Sequence, residues 1–234
     1  MTRSIAILCA GASQGLVTGM TEVLRAELDV QTVGRFGAVG AMREAFIAGE
    51  PCDLMILTDA MMRAMAAEQH MVAATLTPLG TVRTGVAVPA GSALPAVNSA
   101  AALAAAVRAA SSIWIPDTVR STAGIHLRKV LETLGLFEGL GARLREFPNG
   151  ATAMRAMADS GDAAALGFTQ VSEILFTQGV SLVGPLPAEF ELGTVYTAAV
   201  SARAAQPELA GQIISRMASA GAAGLRQRCG FESI

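Results

Sequence analysis

Short apolar runs alternate along the chain with longer stretches in which apolar residues recur every three or four positions. The first pattern marks a buried strand and the second a helix that buries one face, so their alternation predicts a parallel α/β architecture. Residues 5–8 read as a strand, Ala10-Gly11-Ala12-Ser13 as a small-residue turn, and residues 14–27 as a helix. A second strand is expected over 30–35, a helix over 41–48 closed by Gly49, and a third strand over 54–57 ending at Thr58-Asp59. The pattern restarts at Val82 with a strand over 85–88, a Pro/Gly/Ser loop over 89–95 and a helix over 100–110. Strand 113–115, helix 123–134, strand 144–147, helix 151–160 and strand 164–168 follow, until Gly184-Pro185-Leu186-Pro187 breaks the alternation. A strand over 194–200 and helices over 207–217 and 221–227 complete the chain. The restart and the break divide the chain into residues 1–82, 83–187 and 188–234, the last either returning to the first lobe or packing elsewhere.

Composition narrows the function classes. With 234 residues, 52% of them hydrophobic, the chain can bury a sizeable core. A formal charge of -2 supplies no basic field for a phosphate backbone, so nucleic acid is not an expected partner. Lys129 is the only lysine, and the other cations are arginines, which grip planar oxyanions with two parallel donors. Cys9, Cys52 and Cys229 are odd in number and fall in no CxxC spacing, which argues against a disulfide framework and a zinc site and suits a reducing compartment. The apolar run at the N-terminus is short and broken at Gly11, so it reads as a strand and not a leader. No stretch reaches the ~18 uninterrupted apolar residues of a membrane span. A cytoplasmic location is the expectation, or a periplasmic one if a leader is removed upstream.

Candidate chemistry lies at the strand-to-helix turns, because ligands of open α/β sheets sit beyond the carboxyl ends of the strands, where helices point free N–H groups outward. Ser13 ends the first turn, where its hydroxyl either caps the following helix or donates to an anion. The second turn, Phe36-Gly37-Ala38-Val39-Gly40, lets backbone approach a ligand but matches no phosphate-loop motif. The third, Asp117 to Gly124, gathers Thr118, Ser121 and Thr122 around Arg120, and is either a capped turn or the main anion-holding element. Asn149-Gly150 and Thr169-Gln170 occupy two further turns. His70 and His126 have no Ser, Cys or carboxylate at catalytic or ligand spacing, and Asp53 and Asp59 have no second acid beside them, so no metal site is expected. Met61, Met62, Met65, Met154 and Met157 fall at helical spacings and read as core filler.

These turns resemble those of the periplasmic molybdate-binding proteins of ABC transporters. The matching segments are Cys9 to Ser13, residues 36–49 followed by Asp53-Leu54, Thr122 to Ile125, Leu166-Gly167 and the closing Gly230-Phe231, in the same order over nearly the whole chain. With the pattern's divisions, the resemblance implies a type II periplasmic-binding-protein-like fold: two Rossmann-like lobes joined by crossing strands, residues 1–82 with 188–234 forming one and residues 83–187 the other, with a small anion held in the cleft between them by N–H groups and hydroxyls. It implies Ser13, the turn of Ala38, Val39 and Gly40, Ala123, Thr152 and Gln170 as binding positions, no cofactor, and a transporter partner only if the protein is exported. Two departures matter: the second turn has no serine where that family usually has them, and Gln170 stands where a tyrosine is usual. Each lost hydrogen bond to a charged ligand costs about 1.5–3 kcal/mol. A carboxylate ligand met by Arg83 or Arg120 and by the Gln170 amide therefore fits better than molybdate. The alternative is a cofactor-free isomerase of an unsaturated di- or tricarboxylate, similar to aconitate isomerase. Its candidate bases would be His126, Glu173, or Ser13 with a helper, and no catalytic residue stands out.

Overall fold

A computed structural model describes residues 3–234. In chain order the elements are β1 (Arg3–Ala10), α1 (Gln14–Leu28), β2 (Val30–Gly37), α2 (Val39–Ile47), β3 (Leu54–Thr58), α3 (Asp59–Ala67), β4 (Thr77–Pro89), α4 (Ala100–Ala109), β5 (Ile113–Pro116), α5 (Thr122–Thr133) and α6 (Phe137–Leu140). They continue as β6 (Leu144–Phe147), α7 (Gly150–Asp159), β7 (Leu166–Gln170), α8 (Val171–Phe176), β8 (Val180–Pro185), β9 (Gly193–Val200), α9 (Pro207–Ala218) and α10 (Ala223–Arg228). The chain forms two compact units, one ending at Val82 and resuming over Thr194–Ile234, the other spanning Arg83–Gly193.

In the first unit the strand order is β2-β1-β3-β9, with β1 parallel to both neighbours and β9 antiparallel to β3. β1 is buried almost continuously from Ile5 and β3 from Leu54 to Leu57, as expected of strands covered on both faces. α1 turns Leu16, Val17, Met20 and Leu24 inward, a single stripe at helical spacing, and α9 does the same with Leu209, Ile213 and Met217. Asp53, just before β3, is 5% exposed and ties the unit together. One carboxylate oxygen accepts the Ala6 N–H at 2.9 Å; the other accepts those of Ala205 and Gln206 at 2.7 and 3.1 Å, where the chain turns into α9.

The second unit carries β4-β7-β5-β6, with β8 also paired to β4. β5 runs parallel to β6 and β7, whereas β4 is antiparallel to β7 and β8. Alternation along the strands divides the core in two: Val86, Val88, Ile113, Ile115, Leu166 and Phe168 join one cluster, Ala87 and Trp114 the other. Met154 and Met157 fill the second cluster. Among the described residues no helix is long and apolar enough to cross a membrane.

The sheets are therefore mixed, where the alternating pattern pointed to parallel strands throughout. The restart at Val82 falls inside β4, which runs unbroken through that position. The Gly184-Pro185 break is the end of β8, a strand with half-buried residues whose terminal Gly-Pro reads as a loop signal. Residues 188–193 accordingly stay with the second unit, and the chain returns to the first at Thr194.

Candidate functional site

In the first unit, Cys9 is level with Phe36 on β2 and with Ile56 on β3, so these parallel strands end on one edge and α1, α2 and α3 begin there. The head of α3 is satisfied from within. Thr58 Oγ1 accepts the Met61 N–H at 3.4 Å. Asp59 takes Arg63 Nε at 2.6 Å and the Thr197 hydroxyl at 2.8 Å, and the Arg63 bond holds its carboxyl below the usual range. The heads of α1 and α2 have no side-chain cap. At α2 the flanking Ala38 and Val39 are buried and, with Gly40, offer only backbone. At α1, Ser13 is wholly buried, yet its hydroxyl neither caps the helix nor has a hydrogen-bond partner. Burial pushes the neighbouring Cys9 thiol far above its ordinary value against a weaker opposing influence of Ser13, and that thiol donates to Ala10 O at 3.3 Å.

In the second unit the expected anion cradle around Arg120 is folded onto its own acids. Asp117 accepts the N–H groups of Val119 and Arg120 at 2.8 Å and pairs with Arg120 Nε at 3.0 Å. Burial alone would raise the Asp117 carboxyl, but the two N–H groups and the guanidinium hold it down. Thr118 bonds Glu146, Ser121 Oγ caps α5 by accepting the Gly124 N–H at 3.4 Å, and Thr122 and Ala123 occupy the first turn behind it. A Cβ on Gly124 would overlap the carbonyls of Pro116 and Asp117, so only glycine lets α5 start this close to β5. Arg83 is paired with Glu191.

The head of α7 is also occupied. Asn149 Oδ1 accepts both the N–H and the hydroxyl of Thr152 at 2.9 Å, which uses the Thr152 donors. Glu173, 5% exposed, takes the Thr169 hydroxyl and the N–H groups of Ala151, Gln170 and Gly150; burial outweighs these bonds and raises its carboxyl above the ordinary value of 4.5. A Cβ on Gly150 would overlap Thr169 Oγ1 and Glu173 Oε2.

Gln170 is the exception in this unit. It ends β7 at 2% exposure, and neither its amide nitrogen nor its amide oxygen has a partner. Thr84 lies directly opposite on antiparallel β4, so the two side chains leave the same face of the sheet. The Thr84 hydroxyl is equally buried and unpartnered, as are those of Ser172 in the same unit and Thr194 in the first. Sequence reasoning missed these three, and for Thr84 no local signal was available, since Arg83 beside it breaks the apolar pattern. His126 Nε2 bonds Phe190 O at 2.7 Å, and His70 meets Phe46 edge-on and lies 3.4 Å from Glu68. Among the described residues no cluster of three or more metal-ligating side chains forms.

Comparison with known proteins accords with this architecture. The chain is 25% identical over 186 residues to an aconitate isomerase from a Pseudomonas species, covering 79% of this chain and 69% of that one. Its fold matches the periplasmic molybdate-binding protein of Azotobacter vinelandii with a TM-score of 0.81 at 19% identity, covering 98% and 99% of the two chains. It matches the sulfate-binding protein SubI of Mycobacterium tuberculosis with a TM-score of 0.76 at 16% identity, covering 99% and 87%. The sequence profile of the bacterial extracellular solute-binding proteins aligns with residues 5–232, and this chain belongs to that family.

Proposed function

We propose that the protein binds a small carboxylate anion through helix N-termini and neutral donors. The observation that carries this reading is Ser13. A buried hydroxyl left without a partner costs about 1–3 kcal/mol, so its retention at the head of a 15-residue helix calls for a ligand that accepts from it. That helix end carries roughly half a positive charge and suits an anion. Arg83 and Arg120 each hold an acid in their own unit, which leaves the ligand's charge to N–H dipoles and hydroxyls. The hydroxyl-free turn at Ala38 to Gly40 supports a carboxylate over a metal oxyanion.

The test is thermal unfolding with molybdate, sulfate, phosphate and a panel of di- and tricarboxylates, followed by calorimetry on the hits. A ligand at 100 times its Kd adds about 2.7 kcal/mol of stability. Ser13→Ala is expected to weaken the tightest binder by about 1.5–3 kcal/mol. Unchanged melting with every anion, or unchanged affinity in Ser13→Ala, would count against the reading.

A second reading, isomerisation of an unsaturated carboxylate, draws on the aconitate isomerase relative and on Glu173, a buried carboxyl raised toward the range where a general base works. Incubation with cis- or trans-aconitate in D2O, followed by proton NMR, distinguishes catalysis from binding. Interconversion that disappears in Glu173→Gln is the outcome this reading requires.

A further inference from the structure

Thr84 and Gln170 carry an inference about the class of anion, and it rests on the binding function proposed above. A primary amide is a two-sided group: its nitrogen offers two donors and its oxygen two acceptor sites. In Gln170 both ends are buried and both are unpartnered, so flipping the amide relieves neither. The Thr84 hydroxyl leaves the same face of the sheet and is out of hydrogen-bond range of that amide, since none of the three atoms has a partner. Sulfate and molybdate at neutral pH present acceptors only. Such an ion takes the Gln170 nitrogen and the hydroxyl of Thr84, but sets its own lone pairs against the Gln170 oxygen. An anion that also bears an O–H satisfies all three atoms, its oxygens accepting from Nε2 and Oγ1 and its proton going to Oε1.

We propose that the Thr84–Gln170 pair selects anions that carry a hydroxyl or acid proton, such as hydroxycarboxylates or hydrogen phosphate, over anions that only accept. Leaving one buried acceptor unmet lowers affinity by about tenfold or more, which sets the size of the preference.

The experiment is titration calorimetry on the intact chain with matched ligands: malate against succinate, citrate against tricarballylate, and phosphate against sulfate. The wild-type protein is expected to favour the O–H-bearing member of at least one pair by about tenfold. The organic and inorganic pairs separate the two sources of that proton. Gln170→Met keeps the length of the side chain without either polar end, and the preference should collapse toward unity. Thr84→Val, the milder change, should weaken both members of the pair while the preference survives. Circular-dichroism melts of both variants establish that they are folded. Equal wild-type affinity within every pair, or a preference that persists in Gln170→Met, would overturn the proposal while leaving anion binding in place. Failure of every anion to bind would instead overturn the binding function itself.

Discussion

A polar side chain buried in a protein has a partner, a ligand or a cost, and this chain resolves that demand differently from residue to residue. Asp53 is fully engaged, with three backbone N–H groups on its two oxygens. Replacing it with alanine strands those donors, and urea unfolding should show a loss of about 2–4 kcal/mol with little change in ligand affinity measured on the folded protein. Ser13 and Gln170 have no hydrogen-bond partner within the protein, and the proposed binding function would supply one. Arg120 was singled out in the sequence for its charge, yet Asp117 three residues earlier holds it, an i, i+3 pairing that the same stretch of sequence displays. Its side chain is half-exposed, so Arg120→Ala should change stability and affinity by less than about 1 kcal/mol. Thr84 was hidden because its meaning depends on the register of two strands distant in sequence, which no local pattern reveals.

At the level of elements, the strand-to-helix turns were legible because each couples an abrupt end of apolar residues to small or capping residues. What those turns do was less legible, since a helix N-terminus looks the same in sequence whether a ligand or an internal acid fills it. α7 illustrates this: Glu173, from the following helix, reaches back to the N–H groups of Ala151 and Gly150, a contact set by tertiary packing. Gly150 makes room for that carboxylate, and Gly150→Ala should destabilise the protein by about 1–3 kcal/mol through overpacking. Gly211 supplies the opposite case. It lies inside α9, nothing approaches the position of its missing Cβ, and its backbone is helical, so Gly211→Ala should raise stability by about 0.5–1 kcal/mol. Paired urea titrations of the two variants read both signs. β8 escaped notice for a related reason, its half-buried residues giving no alternation and its final Gly-Pro signalling a turn.

At the scale of the whole molecule, the α/β class followed from alternation, because that reports how much of each segment is buried. The antiparallel placement of β4 and β9 did not, since periodicity carries no direction. The distribution of buried acids and thiols, also invisible in composition, sets how stability depends on pH. Asp59 and Asp117 are held below their ordinary 3.8, so their contributions are present above that value and lost as pH falls through their folded values. Glu173 works in the other direction. Its folded value is raised above 4.5, so the native state binds its proton more tightly, and stability is lost as pH climbs from 4.5 through that raised value. The thiols repeat this at alkaline pH: burial pushes Cys52 from 9.0 up to about 12 and Cys9 higher still, so stability falls again above 9.0, by about 1.4 kcal/mol per pH unit for each thiol. Urea unfolding across the pH range should therefore show a decline above pH 4.5, a plateau, and a second decline above 9.0. Glu173→Gln is expected to flatten the first decline alone, and Cys9→Ala combined with Cys52→Ala to reduce the second alone, the remainder coming from Cys229, which burial also raises. A Glu173→Gln profile parallel to wild type between pH 4.5 and neutrality would mean that the N–H groups around this carboxylate outweigh its burial, with its folded value at or below the ordinary one.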